Sequence, residues 1–225
     1  MPQTIVFLTG DFDAGDLCSF LAKQRVESDF VWVQDLSTLA AAIDSHDMTS
    51  ARLVSFCTGV IVPAAMLERF ACGGYNIHPG PPTFPGRHPE SWGVYLEAAR
   101  FGATLHRMAP RVDEGEIIDS KWFDVPAKAG QRVLAEAAFK AALDLLLAWY
   151  GRLAGVDAAL PANGEVWQGR KWRRADLDAI TRFATDIDEI EFDRRRRAFA
   201  ELPGCTLTLT AHGCEFIYTV PPDPR

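Results

Sequence analysis

The sequence lacks an excess of positive charge. Its 225 residues carry 23 Lys and Arg against 30 Asp and Glu, which gives a formal net charge of -7. Proteins that bind nucleic acid usually present a basic excess or a basic stripe, because they neutralise phosphates. The basic run at 194–197 follows a series of acidic residues and is typical of one face of a charged helix. We therefore expect no nucleic-acid partner.

Long apolar segments are also absent. The start, MPQTIVFLTGDFD, has too short an apolar run and no basic flank for a signal peptide, and no stretch approaches the length of a membrane span. The cysteines are scattered, at Cys18, Cys57, Cys72, Cys205 and Cys214. Without a Cys-x-x-Cys pair, free thiols of a reducing compartment are expected rather than a zinc site. We therefore expect a soluble cytoplasmic protein with no membrane partner and no metal.

Three common functional signatures are missing. The segment GDFDAGD at 10–16 lies where a phosphate-binding loop would, but it lacks the Lys-Ser/Thr ending, and its aspartates would repel phosphate. No G-x-G-x-x-G follows the first apolar run, which disfavours a dinucleotide site. Ser55 and Ser91 lack a G-x-S-x-G turn, so a serine hydrolase is weakly supported.

Short apolar runs alternate with helical patterns in the first part of the chain. Runs at 4–8, 30–36, 52–57 and 74–78 are typical of strands, and the segments between them favour helices. This alternation predicts an α/β fold, a mostly parallel sheet with flanking helices. A helix at about 90–102, strands at 103–109 and 117–125, and a long helix with an apolar stripe from Leu134 to Trp149 are expected to follow.

The composition changes after residue 175. A charged helix to about Leu202 is followed by CTLTLT and CEFIYTV around AHG, which predicts a β-hairpin. We therefore divide the chain into a main domain at 1–175 and a small helix-hairpin module at 176–225. Because a lone hairpin is marginal in water, it should pack on the main domain or on a second copy in a homodimer.

The stretch NIHPGPPTFPGRHPESW at 76–92 carries the leading candidates for chemistry. Asn76 and His78 lie at the expected C-terminal end of a strand, where open α/β sheets place their sites, and they project from one face. An amide donor beside an imidazole suits the stabilisation of an oxyanion. Asp113, in the loop segment DEGE, could orient or protonate a histidine. His88 and His106 are interpreted as structural.

These residues, with the segments GVIVP and GATLHRMAPRVDEGEIID, resemble the folate-dependent formyltransferases. That family shares an Asn-x-His motif at a strand end, followed about 35 residues later by an Asp in a Val/Leu/Ile-Asp-x-Gly loop. Asn76, His78, Asp113 and Gly115 match this pattern. The resemblance covers roughly residues 1–175, and the family includes enzymes that formylate glycinamide ribonucleotide, methionyl-tRNA and amino sugars linked to nucleotides.

The resemblance implies 10-formyltetrahydrofolate as the donor and an amine as the acceptor. Attack on the formyl carbon would form an oxyanion that accepts hydrogen bonds from Asn76 and from charged His78. Asp113 would favour the charged form of His78 and, through a water, help to remove the amine proton. The implied folate site consists of Cys57, Gly59, Val60, Ile61, Val62, Gly80, Val112 and Gly115.

The chain departs from the family pattern in two places. The loop HPGPPTFPGRHP is shorter than its counterparts and has Gly80 where a Ser is common, and the short C-terminal module and negative charge argue against tRNA. We expect a nucleotide-linked amino sugar as the acceptor, with glycinamide ribonucleotide, an amino acid or a peptide as alternatives. A formyltetrahydrofolate hydrolase or a non-catalytic folate-binding protein is a further alternative. Phe12, Trp92, Trp122 and Trp167 could stack on a ligand ring, although such residues are more often core.

Overall fold

The computed structural model describes residues 3–10, 14–23, 28–155 and 159–220. Its strands are β1 (Gln3–Leu8), β2 (Ser28–Val33), β3 (Ala51–Phe56), β4 (Gly74–His78), β5 (Arg100–Arg107), β6 (Ile117–Asp124), β7 (Arg182–Ala184), β8 (Thr208–Ala211) and β9 (Cys214–Ile217). Its helices are α1 (Ala14–Lys23), α2 (Leu36–Ser45), α3 (Ala64–Leu67), α4 (Pro89–Tyr95), α5 (Gln131–Ala154), α6 (Arg174–Ile180) and α7 (Glu189–Phe199).

Six strands form the central sheet, in the order β2-β1-β3-β4-β5-β6. The first four run parallel, whereas β5 and β6 return antiparallel. On one face Phe7 and Phe56 pack with Leu145 of α5, and on the other Val6 packs with Leu39 of α2. Alternate residues of β1 therefore serve two apolar layers, which explains its uninterrupted apolar run. The predicted α/β fold with a mostly parallel sheet is confirmed.

Arg52, at the start of β3, ties the sheet to the end of α5. The residue is 1% exposed, and its Nη1 donates to the carbonyl oxygens of Arg152, Leu153 and Gly155 over 2.7–3.0 Å. Its Nε donates to the carbonyl of Cys72 over 3.1 Å. A cation at this place donates to carbonyl groups that a helix end leaves without partners, and its positive charge interacts favourably with the negative end of the helix dipole. The contact lies at the edge of the sheet where the parallel strands begin.

The helix expected at about 90–102 is shorter than its pattern predicted. It ends at Tyr95, and Glu97 takes a left-handed backbone conformation with φ 53°. Arg100 and Phe101 already belong to β5. A Cβ on Gly102 would lie 2.2 Å from the carbonyl oxygen of Lys121 in β6, so this glycine lets the two antiparallel strands approach.

The charged helix expected from 175 to Leu202 is interrupted. It is split into α6 and α7, and between them Arg182–Ala184 forms β7, which pairs in parallel with β8. Asp188 starts α7 by accepting a hydrogen bond from the backbone N–H of Glu191. The predicted hairpin is present as β8 and β9, and β7 makes it a three-stranded sheet.

The C-terminal module packs on the main domain through an apolar cluster. Trp92 and Leu134, from α4 and α5, pack with Phe199, Leu202 and Leu207. The predicted boundary at residue 175 therefore lies beside a core that both parts share, and it stays a prediction. The homodimer also stays a prediction. Within the described ranges, every helix is too short or too polar to cross a membrane.

Candidate active site

Asn76 and His78 lie where β4 ends, at the edge of the sheet that also receives the C-terminal ends of β1 and β3. His78 is buried, and Gly80 follows it closely. A Cβ on Gly80 would lie 2.6 Å from Nε2 of His78, so a larger residue would displace the imidazole. Thr104 holds this turn by donating from Oγ1 to the carbonyl oxygen of Gly80 over 2.7 Å.

Asp113 reaches the same place from the loop between β5 and β6. It is 3% exposed, and its Oδ2 accepts a 2.7 Å hydrogen bond from the backbone N–H of Gly86. The same Oδ2 lies 3.9 Å from Nδ1 of His78. A Cβ on Gly115 would lie 1.8 Å from the carbonyl oxygen of Arg107, so the loop folds back tightly where the family pattern has its glycine. The structure thus brings the three predicted catalytic residues together.

The carboxylate of Asp113 is held ionised by its neighbours. Burial raises its pKa, but the charge of His78, the contact with His106 and the hydrogen bond from Gly86 outweigh burial and hold the pKa well below the ordinary range. Its Oδ1 is buried and has no hydrogen-bond partner in the described part of the chain. A buried, unsatisfied carboxylate oxygen is costly unless a ligand or water supplies a donor.

The imidazole of His78 is oriented by a carbonyl group. Its Nε2 lies 3.1 Å from the carbonyl oxygen of Phe84, and because a carbonyl only accepts, Nε2 carries a hydrogen. Nδ1 faces Asp113, so protonation of His78 would place its second N–H toward a carboxylate. Phe84 belongs to the loop that departs from the family pattern. His78 must share this N–H, or release it from Phe84, before it can donate to a substrate.

His106, which the sequence analysis interprets as structural, also lies in this site. It is 3% exposed and pairs with Asn76 across β4 and β5. Its Nε2 lies 3.0 Å from Nδ2 of Asn76 and 3.5 Å from Oδ1 of Asp113. The sequence predicts a strand for the segment ATLHRMA but does not predict how it pairs with other strands. The antiparallel register of β4 and β5 places His106 opposite Asn76.

A segment at 163–172, here called the covering segment, lies over the site. The ring of its Trp167 meets the rings of His78 and His106 nearly edge-on, with centroids 5.9 and 4.9 Å apart. The Nε1 of Trp167 donates to the carbonyl oxygen of Gly115 over 2.8 Å. Trp167 is one of the four aromatic residues that the sequence suggests for stacking on a ligand ring, and it contacts two imidazoles of the site.

The covering segment is fastened to both loops of the site. The backbone N–H of Gln168 donates to the carbonyl oxygen of Pro82 over 2.8 Å, in the loop after β4. Nζ of Lys171 donates to Oε1 of Glu114 over 2.7 Å and to the carbonyl oxygen of Val112. The segment therefore joins the loop that orients His78 to the loop that carries Asp113.

The residues predicted to bind folate occupy three places around Asn76, His78 and Asp113, here called the trio. The backbone N–H of Cys57 donates to the carbonyl oxygen of Ile77 over 3.1 Å, which keeps the end of β3 beside β4. In the loop that follows, at 59–62, Ile61 is 64% exposed and Val62 is buried. Gly80 lies against His78, and Val112 and Gly115 flank the Asp113 loop. Binding of folate by these residues stays a prediction.

The remaining sequence candidates lie elsewhere or outside the described ranges. Trp92 is buried and stacks on Trp172 with centroids 3.8 Å apart, so it belongs to the core. Trp122 lies under the guanidinium of Arg100 on β5. Phe12 falls outside the described residues, as do the other residues of GDFDAGD from 11 to 13. Among the residues that the structure describes, no group of His, Cys, Asp and Glu could hold a metal ion.

The sequence model of the formyl transferase family matches residues 32–147, about half of the chain. The match runs from β2 into α5 and includes all three residues of the trio. The chain belongs to the formyl transferase family. It is therefore an enzyme of the formyltransferase class, as the sequence predicted. Trp167 and the rest of the covering segment lie beyond the matched region of this formyl transferase.

Solved N-formyltransferase structures share the fold over nearly the whole chain. A 4-N formyltransferase from Francisella tularensis aligns with a TM-score of 0.78 at 15% identity, over 97% of each chain. A sugar N-formyltransferase from Shewanella sp. FDAARGOS_354 gives 0.75 at 14%, again over 97% of each chain. An N-formyltransferase from Helicobacter canadensis, in complex with folinic acid and dTDP-3-aminofucose, gives 0.67 at 14%, over 95% of this chain and 85% of that one. At these identities the likeness is one of fold.

Proposed function

We propose that this formyltransferase moves a formyl group from 10-formyltetrahydrofolate to the amine of a nucleotide-linked amino sugar. The observation that carries the proposal is the grouping of half-buried Asn76 with buried His78 and Asp113 at the C-terminal edge of the sheet. The trio holds an amide, an imidazole and an ionised carboxylate, which are the groups that formyl transfer to an amine needs.

In the proposed reaction the amine nitrogen attacks the formyl carbon, and the carbonyl electron pair becomes an oxyanion. An N–H of Asn76 and an N–H of charged His78 stabilise that oxygen. Asp113 accepts the proton that the amine loses, through a water at its unsatisfied Oδ1. The oxyanion then returns its electron pair to re-form the carbonyl as the bond from the formyl carbon to N10 of the folate breaks, and N10 takes up the proton that the amine lost, returned through Asp113 and the water. The products are a formamide and tetrahydrofolate.

The class of acceptor is proposed from the relatives of similar fold. The Helicobacter canadensis enzyme was solved with an amino sugar linked to dTDP, and the Shewanella protein is a sugar N-formyltransferase. The small C-terminal module and the net charge of -7 favour a small acceptor over tRNA. Folate is proposed to lie between the loop at 59–62 and the Asp113 loop.

A binding experiment tests the donor site first. Calorimetric titration with 5-formyltetrahydrofolate should show one saturable site per chain. The exposed Ile61 supplies a control, because Ile61→Ala leaves the backbone of the proposed pteridine loop in place and should still bind. If millimolar ligand gives no saturable heat, the chain is not folate-dependent and the proposal is wrong. If folate binds but no amine is formylated, a hydrolase or a binding protein replaces it.

A further inference from the structure

We propose that His106 is a positioning residue that fixes the side-chain amide of Asn76, with its NH₂ group as the donor to the imidazole. This inference rests on the proposed function, because its purpose is to present the other N–H of Asn76 to the oxyanion. The pair lies across β4 and β5, and the two side chains project from the same face of the sheet.

The hydrogen-bond partners of His106 determine which nitrogen carries its hydrogen. Nδ1 lies 2.9 Å from the carbonyl oxygen of Arg107, and a carbonyl can only accept, so Nδ1 is the donor. In a neutral imidazole the other nitrogen, Nε2, then has a free lone pair. Nδ2 of Asn76 lies 3.0 Å from it, so the amide NH₂ donates and the amide oxygen points elsewhere.

One carboxylate faces both histidines of the site. Asp113 is the carboxylate within 4.0 Å of its ring in the described part of the chain, and Asp113 also faces Nδ1 of His78. A second buried imidazolium at this place would repel the first and would lack a carboxylate of its own. Nε2 of His106 also lies 3.5 Å from Oδ1 of Asp113, and a hydrogen on Nε2 would point to that carboxylate instead of leaving a lone pair for Asn76.

The amide of Asn76 needs such a partner because its two ends have nearly the same shape. Rotation by half a turn would exchange the NH₂ group for the oxygen and present a repulsive group to the oxyanion. The lone pair at Nε2 of His106 accepts a hydrogen bond when the NH₂ group of Asn76 faces it, and it would repel the amide oxygen in the rotated orientation. Trp167 packs edge-on against the His106 ring, with centroids 4.9 Å apart and planes at 88°, and limits its movement.

Nuclear magnetic resonance tests the assignment without any substrate. Protein labelled with ¹⁵N should show His106, identified by its absence in His106→Gln, as the neutral tautomer with the hydrogen on Nδ1. This tautomer is the less common one for histidine in water, so the expected result is distinctive. A hydrogen on Nε2, or on both nitrogens, would overturn the proposal whatever the enzyme does.

A double-mutant cycle tests whether His106 acts through Asn76. His106→Phe should lower kcat roughly tenfold, about the value of one hydrogen bond, and leave the KM for the folate within roughly twofold. His106→Gln, which keeps an acceptor, should restore part of the rate. In Asn76→Ala the same change to Phe should have little further effect, whereas equal losses in both backgrounds would contradict the proposal.

Two controls keep the outcomes separate. His46→Gln, on a histidine at the end of α2 and away from the site, should leave kcat unchanged. If His106→Phe fails to fold, the tautomer measurement and His106→Gln still decide the proposal. If the wild-type protein formylates no amine, the proposed function fails, and the tautomer of His106 still shows whether the positioning contact exists.

Discussion

The backbone N–H of Gly86 donates a 2.7 Å hydrogen bond to Oδ2 of Asp113. Gly86 belongs to the proline-rich loop after His78, and Asp113 belongs to the loop between β5 and β6. The bond fastens the loop that follows the imidazole to the loop that carries the carboxylate. The proline-rich loop thus contacts His78 through the carbonyl of Phe84 and Asp113 through the N–H of Gly86.

The charge of Asp113 should be essential for turnover. Asp113→Asn keeps the shape of the side chain, and Asn tolerates the left-handed backbone (φ 51°) of this position. The variant should fold, as judged by circular dichroism, but its kcat should fall by roughly a hundredfold or more because it can neither accept the amine proton nor stabilise charged His78. Glu116→Gln, on an exposed carboxylate of the same loop, is the matched control. Normal turnover in Asp113→Asn would remove this residue from the mechanism.

Gly115 should tolerate no side chain. In Gly115→Ala the new Cβ would clash with the carbonyl oxygen of Arg107, so the Asp113 loop must move. We expect a loss of stability of about 2 kcal/mol or more in urea unfolding, together with loss of folate binding. Gly151→Ala, in α5 where a Cβ meets nothing within 4 Å, should instead raise stability by about 0.5–1 kcal/mol. Equal stabilities of the two variants would contradict this account of the loop.

Arg52 should contribute to stability and not to catalysis. Arg52→Met removes the donors that satisfy the last carbonyl groups of α5. The free energy of unfolding should fall by about 3 kcal/mol, since hydrogen bonds from a buried charged group are lost. The folded variant should keep its kcat, because Arg52 lies at the opposite end of β3 from the site. Arg69→Met, on an exposed arginine, should change neither quantity, and a large effect there would show that loss of charge alone explains the result.

Glu90 should make stability depend on pH. Burial, opposed in part by its hydrogen bonds, raises the pKa of Glu90. Because the pKa of Glu90 is higher in the folded state, its contribution leaves the protein most stable at a pH below the unfolded-state pKa, where this carboxyl is protonated in both states. The contribution of Glu90 to the free energy of unfolding then falls as the pH rises through the folded-state pKa. Glu90→Gln should therefore be more stable than the wild type at pH 7, and the difference should shrink as the pH falls to about 4. The exposed Glu68→Gln is the control, and a difference independent of pH would contradict the assignment to Glu90.

Much of the fold and of the trio could be predicted from sequence. Apolar runs and helical spacing define the parallel strands, and the motif formed by Asn76, His78 and Asp113 predicts the candidate catalytic set. The apolar runs are local signals, and the motif is short and consists of the residue types that would carry out the reaction. The position of Asn76 and His78 at the end of β4 follows from the same local signals.

The other parts of the site depend on contacts between distant segments. His106 lies 30 residues from Asn76, and the register of two antiparallel strands brings them together. Trp167 lies 52 residues from Gly115 and reaches it through a segment without regular periodicity. The sequence pattern therefore does not predict that His106 contacts Asn76 or that Trp167 contacts Gly115. For the same reason the sequence predicts a helix where the structure has β7, which is three residues long and pairs with β8.

Formyl transfer itself is the measurement that tests the central claim most directly. The protein is incubated with 10-formyltetrahydrofolate and a panel of amines: nucleotide-linked amino sugars, glycinamide ribonucleotide, amino acids and peptides. Mass spectrometry then follows the products. We predict that one nucleotide-linked amino sugar gains the mass of a formyl group in step with the release of tetrahydrofolate, and that Asp113→Asn abolishes both. Release of free formate without any formylated amine, or no consumption of the folate at all, would contradict the account.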